Sequence, residues 1–231
     1  PYAIENFRVE FVREEPPGIL TGFWRGVGAT HNVYVIESFV DELAAAGKKD
    51  PVGYRRALLQ KNSRALNVLN RAAEISNWGT PLGPRRGRGV SVQQAFGSYM
   101  CQVAEVTVSK TGEVKVDRVY VVVDTGVVVN PDTVVAQMQS GVIFGITAVL
   151  WGEITLDKGR VQQSNFDSYR IMRIDEAPKI EVEIIKSGEN PGGIGEPGTS
   201  GLAPAVLNAV FAATGVRLRK TPIDNQLLKE A

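Results

Sequence analysis

Apolar residues recur at helical spacing in the first third of this chain and at strand spacing over much of the remainder. Phe7 to Val12 reads as a strand, ended by Glu14-Glu15-Pro16-Pro17-Gly18. The loop Trp24-Arg25-Gly26-Val27-Gly28 leads to Thr30, which the pattern predicts as an N-cap. Val33, Ile36, Val40 and Leu43 then form a helical stripe, with Asp41 and Glu42 off it. Asp50-Pro51 predicts a second helix start, and Ser63 to Ser76 a third helix with Leu66, Leu69 and Ala73 on one side. Trp78 to Gly89, rich in Gly, Pro and Arg, predicts a long loop or subdomain boundary. Beyond it, Val103–Val108 and Val114–Val123 flank Thr111-Gly112 as a hairpin, and the continuously apolar Tyr120–Val123 is expected to be buried on both faces. Asn130-Pro131-Asp132 opens a helix to about Leu150, a second hairpin is expected at Asp157-Lys158-Gly159, and Ile180–Ile185 alternates as a strand. A last helix, Leu202 to Thr214, is closed by Gly215. The elements are mixed rather than strictly βαβ, so the fold class is α+β, divided at residues 1–84 and 85–231.

Composition narrows the chemistry. The chain has 231 residues, 43% hydrophobic and 22% charged, with a net charge of +1. That is enough chain for a sizeable core, with no electrostatic footprint for nucleic acid. Apolar runs are too short, and too rich in Gly and polar residues, to predict a bilayer span. One cysteine and one histidine exclude an internal disulfide and a four-cysteine iron–sulfur or zinc site. Redox chemistry here therefore needs a metal carried by an organic cofactor or by another chain. Pro1-Tyr2-Ala3-Ile4 reads as the start of a fragment or a processed chain. Arg85-Arg86-Gly87-Arg88 is expected to be a solvated loop or a subunit contact, Trp78 and Trp151 packing residues, and Cys101 a core thiol.

The residue of greatest chemical interest is Glu196, in Gly193-Ile194-Gly195-Glu196-Pro197-Gly198. The glycines let backbone approach a ligand closely. The carboxylate has few polar neighbours in sequence, a setting that suits a general base if the fold excludes water. Local sequence is equally compatible with a surface turn that carries a Glu. Residues 193–198 also match G-x-G-x-x-G, but the strand before them alternates apolar and charged residues. Glu196 would place negative charge where a pyrophosphate should bind. The first acidic residue after the loop, Asp224, lies beyond the ribose position expected roughly 20 residues on. A dinucleotide fold is rejected.

Longer motifs carry a resemblance. Pro191-Gly192-Gly193-Ile194-Gly195-Glu196-Pro197, followed by Ala203-Pro204-Ala205-Val206-Leu207-Asn208-Ala209 and Thr214-Gly215, resembles the end of the molybdenum subunit of the xanthine oxidase family. Asp124-Thr125-Gly126 with Asn130-Pro131 and Gln137 is similar to the preceding block of that family, and Trp24 to Asn32 to its arginine loop. The likeness is greatest to isoquinoline 1-oxidoreductase β-subunits and related bacterial aldehyde dehydrogenases. It implies a molybdenum-cofactor-binding domain with a mixed sheet and flanking helices, residues 85–231 forming the molybdopterin-binding subdomain. It also implies a molybdopterin cytosine dinucleotide cofactor and [2Fe-2S] clusters on a partner subunit. The implied reaction oxidises an N-heterocycle or aldehyde: a glutamate takes the proton of a molybdenum-bound hydroxyl, which attacks carbon while a hydride passes to a sulfido ligand.

By position that glutamate is Glu196, and the implied cofactor-binding residues are Arg25, Gly26, Val27, Gly28, Gln137 and Gly195, with no protein ligand to the metal. Residue chemistry agrees in part. An arginine loop before a helix N-terminus suits anionic groups. Gln137, Gly141, Gly145 and Ala148 share a helical stripe that offers small residues and an amide. His31 is the weakest candidate. The implied partners are the remainder of the large subunit, a [2Fe-2S] small subunit, a cytochrome c subunit and a small-molecule substrate. The implied place is bacterial, periplasmic or membrane-associated, with the cytoplasm left open. Two departures stand out. The family's Gly-Gln-Gly motif and Ser- or Ala-rich loop are not visible, and Thr199-Ser200-Gly201 stands where relatives tend to have prolines. A non-catalytic assembly or relic module of the same scaffold is the alternative.

Overall fold

The computed structural model describes residues 1–230. Its centre is a mixed sheet in the order β1-β2-β3-β6: β1 (Arg86–Ala95), β2 (Ser98–Val108), β3 (Val114–Asp124) and β6 (Lys179–Ile184). β1, β2 and β3 pair antiparallel, and β6 joins β3 in parallel. Between β3 and β6 lie α4 (Pro131–Leu150) and the small hairpin of β4 (Leu156–Asp157) and β5 (Arg160–Val161). Because side chains alternate across a strand, the sheet has two apolar faces. Val90, Val92, Cys101, Val103, Tyr120 and Val122 face α2 (Pro51–Leu58) and α3 (Ser63–Ile75). Met100, Ala104, Val106, Val119, Val121 and Val123 face α4 and α6 (Leu202–Thr214). The α+β expectation and the burial of Tyr120–Val123 both hold.

Local chemistry sets most helix ends. The Asp50 side chain accepts from the Gly53 N–H at 2.7 Å with Pro51 at the first helical position, and Asn130 caps α4 in the same way through Thr133. Gly215, at φ 75°, closes α6 in the left-handed conformation. At mean hydropathy 1.5, α4 is long and apolar enough to cross a membrane, contrary to the expectation from run lengths; here its buried face lies on the sheet, α6 and the short α5 (Pro197–Ser200).

Several expectations need correction. Phe7–Val12 pairs with no strand, and Phe7, Val9 and Phe11 are largely exposed. Helix α1 (Val27–Ala46) begins a turn before Thr30, with Gly26 as its cap; Thr30 instead donates through Oγ1 to the Arg25 carbonyl at 3.0 Å. Its buried face includes Glu37 and Asp41, while Ile36 and Leu43 are partly exposed. The reason lies outside the helix. Arg55 donates to Glu37 at 2.9 Å, Arg217 donates to Asp41 at 2.8 Å, and the Val92 N–H donates to Glu37. Finally, β1 starts at Arg86, inside the predicted loop. A Cβ at Gly87 or Gly89 would stand 2.3 or 2.2 Å from α6 carbonyls, so those glycines let α6 lie on bare backbone. The adjacent arginines are structural rather than solvated: Arg88 pairs with Glu105, and Arg85 donates to the carbonyls of Val108, Ser109 and Leu228.

Candidate functional site

Glu196 immediately precedes α5, at the meeting point of α1, α4 and α6. Its Oε1 accepts the Gly26 N–H at 3.0 Å, and Oε2 accepts nothing among the described residues. The carboxylate is half-buried at the N-terminus of a 20-residue helix, where free N–H groups favour negative charge. Gly26 is required here. Its φ is 98°, and a Cβ would stand 2.0 Å from Thr30 Oγ1. The next residue, Val27, is held at φ 48°, a conformation that costs a β-branched residue about 1–3 kcal/mol.

Arg25 fastens this loop to both neighbouring segments. It donates to the Gly195 carbonyl through Nε at 3.0 Å and Nη2 at 2.8 Å. The same guanidinium reaches Gln137 Oε1 at 3.0 Å and Ser140 Oγ at 2.9 Å. It also lies over the Phe144 ring, which packs against Trp24 at 4.9 Å. Ser140 and Phe144 were not singled out in the sequence. Their spacing from Gln137 on one helical face was the available signal.

The structure therefore brings Gln137, Gly195 and Glu196 to Arg25 and Gly26, which lie more than a hundred residues earlier in the chain. Val27 and Gly28 follow in the first turn of α1, Val27 partly exposed. His31 is exposed and makes no ion pair. No group of three or more His, Cys, Asp or Glu side chains among the described residues could hold a metal ion.

Beneath the turn lies a polar shelf that sequence reasoning missed. Gln93 Nε2 donates to the Pro197 carbonyl at 2.7 Å, Gln102 Nε2 to Gly198 at 2.9 Å and Ser91 Oγ to Gly201 at 2.5 Å. All three side chains are buried on the face of the sheet toward α6. Polar residues at inward positions of β1 and β2 were the only local sign. The small-residue stripe of α4 serves close packing: a Cβ at Gly141 would stand 2.8 Å from Gly198, so helix and turn meet backbone to backbone.

Asp124-Thr125-Gly126 braces the glycine loop. Thr125 Oγ1 donates to the Gly192 carbonyl and the Gly192 N–H to that of Thr125, while Ser98 donates to Gly193. Asp124 accepts twice from Arg64 at 2.8 Å, and again from Ser187 and the Gly126 N–H. Burial pushes the Asp124 carboxyl up, but the hydrogen bonds from Arg64, Ser187 and Gly126 outweigh it and hold it below the usual carboxylate range. Burial likewise pushes the Cys101 thiol up, as befits an inert core residue.

Comparison with known proteins places the family and the fold. Residues 64–178 match the model of the molybdopterin cofactor-binding domain. The chain is 32% identical over 205 residues to the β-subunit of isoquinoline 1-oxidoreductase from Brevundimonas diminuta, covering 87% of this chain and 26% of that protein. It is 33% identical over 250 residues to a subunit of nicotinate dehydrogenase from Pseudomonas putida, covering 100% of this chain and 21% of that one. Its fold matches quinoline 2-oxidoreductase from Pseudomonas putida 86 at a TM-score of 0.78 and 13% identity, over 88% of this chain and 52% of the other. A molybdenum-cofactor-binding fold is thus the class of structure. Taken with the motifs, the chain belongs to the molybdenum-binding subunits of the xanthine oxidase family. It spans about a quarter of the length of these curated relatives.

Proposed function

We propose that this chain supplies the catalytic carboxylate and part of the cofactor cradle of a molybdenum hydroxylase that oxidises an N-heterocycle or an aldehyde. One observation carries the reading: Glu196 is pinned by a single oxygen to the Gly26 N–H at 3.0 Å and keeps the other free. A fully paired carboxylate would be a structural ion; this one can take up a proton.

The residues present suit a molybdopterin. A Cβ at Gly195 would meet nothing within 4 Å, so packing inside the chain does not require the glycine, and open space lies over it. Arg25 orients the Gln137 amide through its oxygen and leaves the NH2 group to donate outward. The Val27 N–H is taken by the Trp24 carbonyl at 2.8 Å, so the Gly28 N–H is the first-turn donor of α1 that stands beside the cationic guanidinium. When bound, the cofactor, here the cytosine dinucleotide form, supplies the oxygen to be transferred and the acceptor for two electrons. Glu196 Oε2 receives the proton released as the new carbon–oxygen bond forms. Arg25, Gly26, Val27, Gly28, Gln137 and Gly195 hold and orient the group. Partner subunits, one with [2Fe-2S] clusters and one a cytochrome c, would carry the electrons away. The remainder of the large subunit completes the substrate pocket.

Glu196→Gln in the assembled enzyme tests the assignment. Molybdenum content should stay at the wild-type level while turnover falls about a hundredfold to ten-thousandfold, the usual contribution of a general base. Near-normal turnover would overturn the role of Glu196. Sub-stoichiometric molybdenum in an intact wild-type complex would favour a non-catalytic scaffold instead.

A further inference from the structure

Phe7 to Val12 has the composition and alternation of a strand, yet it pairs with nothing in this chain. The segment leaves the body at Tyr2, whose hydroxyl donates to Glu37 of α1 at 2.7 Å. It rejoins the body at Trp24, which packs on Phe144 just before α1 begins. Between those anchors, no backbone N–H or carbonyl of residues 4–15 is hydrogen-bonded among the described residues. Arg8 pairs with Glu10 two residues along, as on one face of a strand. Phe7, Val9 and Phe11 take the other face and are 70%, 73% and 85% exposed.

Helix α1, next along the chain, repeats the pattern on its outer side. Val35, Ile36, Phe39 and Leu43 share one helical face, with Val35 61% and Phe39 57% exposed, while another face packs on α6. A free strand needs a sheet edge, and a free helix stripe needs a face to cover it. One β-sheet meets both needs when the helix packs on the sheet that its preceding strand has joined. A second copy of this chain cannot do so. Its sheet has free edges at β1 and β6, but helices cover both faces. An anionic membrane is disfavoured as well, because Glu5, Glu10, Glu14 and Glu15 outnumber Arg8 and Arg13 around the strand.

We infer that residues 7–12 join, as an edge strand, a β-sheet in the remainder of the large subunit, and that the Val35–Phe39 stripe of α1 packs on the same sheet. That remainder corresponds to the larger part of the relatives' length, which this chain does not span. Main-chain pairing holds the strand, and the apolar row of Phe7, Val9 and Phe11 sets which way it faces. The inference rests on the proposed reading of the chain as part of such a subunit, but not on the role of Glu196.

Hydrogen–deuterium exchange at single-residue resolution, on the chain alone and on the assembled enzyme, tests it. Alone, the amides of residues 7–12 should exchange as fast as those of an unstructured peptide. In the enzyme every second one should slow by at least about a hundredfold, because an edge strand turns alternate N–H groups to its neighbour. Val9→Asp and Phe39→Asp should each reduce that protection by at least about tenfold. Both side chains are exposed in the chain alone, so its melting curve should not move, and lost protection then reads out the contact rather than the fold. Glu196→Gln should leave the exchange pattern as in wild type, so turnover and protection report separately on the two readings. Fast exchange of residues 7–12 in the assembled enzyme, or uniform slowing without the two-residue period, would overturn the inference. Protection that rises with the concentration of the chain alone would also overturn it, by assigning the surface to a second copy.

Discussion

Gly141→Ala should destabilise this protein although it replaces glycine by the best helix former. In a helix interior that exchange normally gains about 1 kcal/mol. Here the added methyl would stand 2.8 Å from the Cα and carbonyl carbon of Gly198 and 3.0 Å from the Thr199 nitrogen. Carbon atoms pack comfortably at about 3.5–4.0 Å, so helix and turn must separate by about 0.7 Å or more. Neither side yields easily. Gly198 is anchored by Gln102 at 2.9 Å, and Met138 of α4 packs directly against it. Overpacking of this kind costs about 1–3 kcal/mol, and contact with backbone rather than a flexible side chain points to the upper part of that range. The net loss is then about 1–2 kcal/mol, or a melting temperature about 3–6 °C lower.

The same displacement reaches the site. Glu196 accepts from Gly26 at 3.0 Å, and a further 0.7 Å would take that contact beyond hydrogen-bonding distance, about 3.2 Å for an N–H to oxygen bond. Turnover of the assembled enzyme should fall by about tenfold or more, because misplacing a reacting group by about 1 Å can cost a hundredfold. Thermal denaturation and steady-state assays of Gly141→Ala beside wild type give both numbers. A variant more stable than wild type, by the amount helix propensity alone supplies, would show that the Gly141–Gly198 contact does not hold the turn.

Arg55→Met should cost about 3–5 kcal/mol by urea denaturation, since it leaves Glu37 buried without its countercharge. Adding Glu37→Leu should recover most of the loss, and no recovery would mean that Glu37 contributes mainly through Tyr2 and Val92. Asp124 should add an acid-sensitive limb to the stability profile. Its carboxyl is held below its unfolded value, so its contribution is fully present above that value and is lost as pH falls from about 5 through the lower folded value. Asp124→Asn should flatten that limb in acid-denaturation curves; an unchanged slope would assign the acid sensitivity elsewhere. Arg25→Lys keeps the charge but loses the paired grip on the Gly195 carbonyl, so turnover should drop about tenfold with stability changed by no more than about 1 kcal/mol. Full turnover in that variant would show that charge alone suffices.

What the sequence made legible was whatever is settled within a few residues. Asp50-Pro51, Asn130-Pro131 and Gly215 fix helix ends by contacts inside a single turn, and those ends were placed correctly. The apolar run Tyr120–Val123 announced a strand covered on both faces. Errors arose where the deciding partner is distant. Glu37 and Asp41 turn inward because Arg55 and Arg217 meet them, so the apolar stripe misjudged the face of α1. Gly87 and Gly89 read as loop, yet they are strand positions stripped of side chains so that α6 can lie on them. Arg25, Gln137 and Glu196 were legible as members of motifs, but their mutual contacts were not, since no local pattern encodes a bond across more than a hundred residues.

The polar shelf of Ser91, Gln93 and Gln102 has the same origin and explains the free oxygen of Glu196. A helix as short as α5, Pro197–Ser200, cannot satisfy its own end groups by internal hydrogen bonds. The carbonyls of Pro197, Gly198 and Gly201 face a buried sheet rather than water, and leaving them unpaired would cost about 1–3 kcal/mol each. Amides and a hydroxyl on β1 and β2 meet that need from below, at positions where a valine would otherwise pack. The turn is thereby fixed through its backbone, without calling on the Glu196 side chain as a cap. A carboxylate used as the cap would have both its position and its lone pairs spoken for. With the sheet holding the backbone, the Gly26 N–H is enough to aim the carboxylate, and Oε2 remains available for a proton.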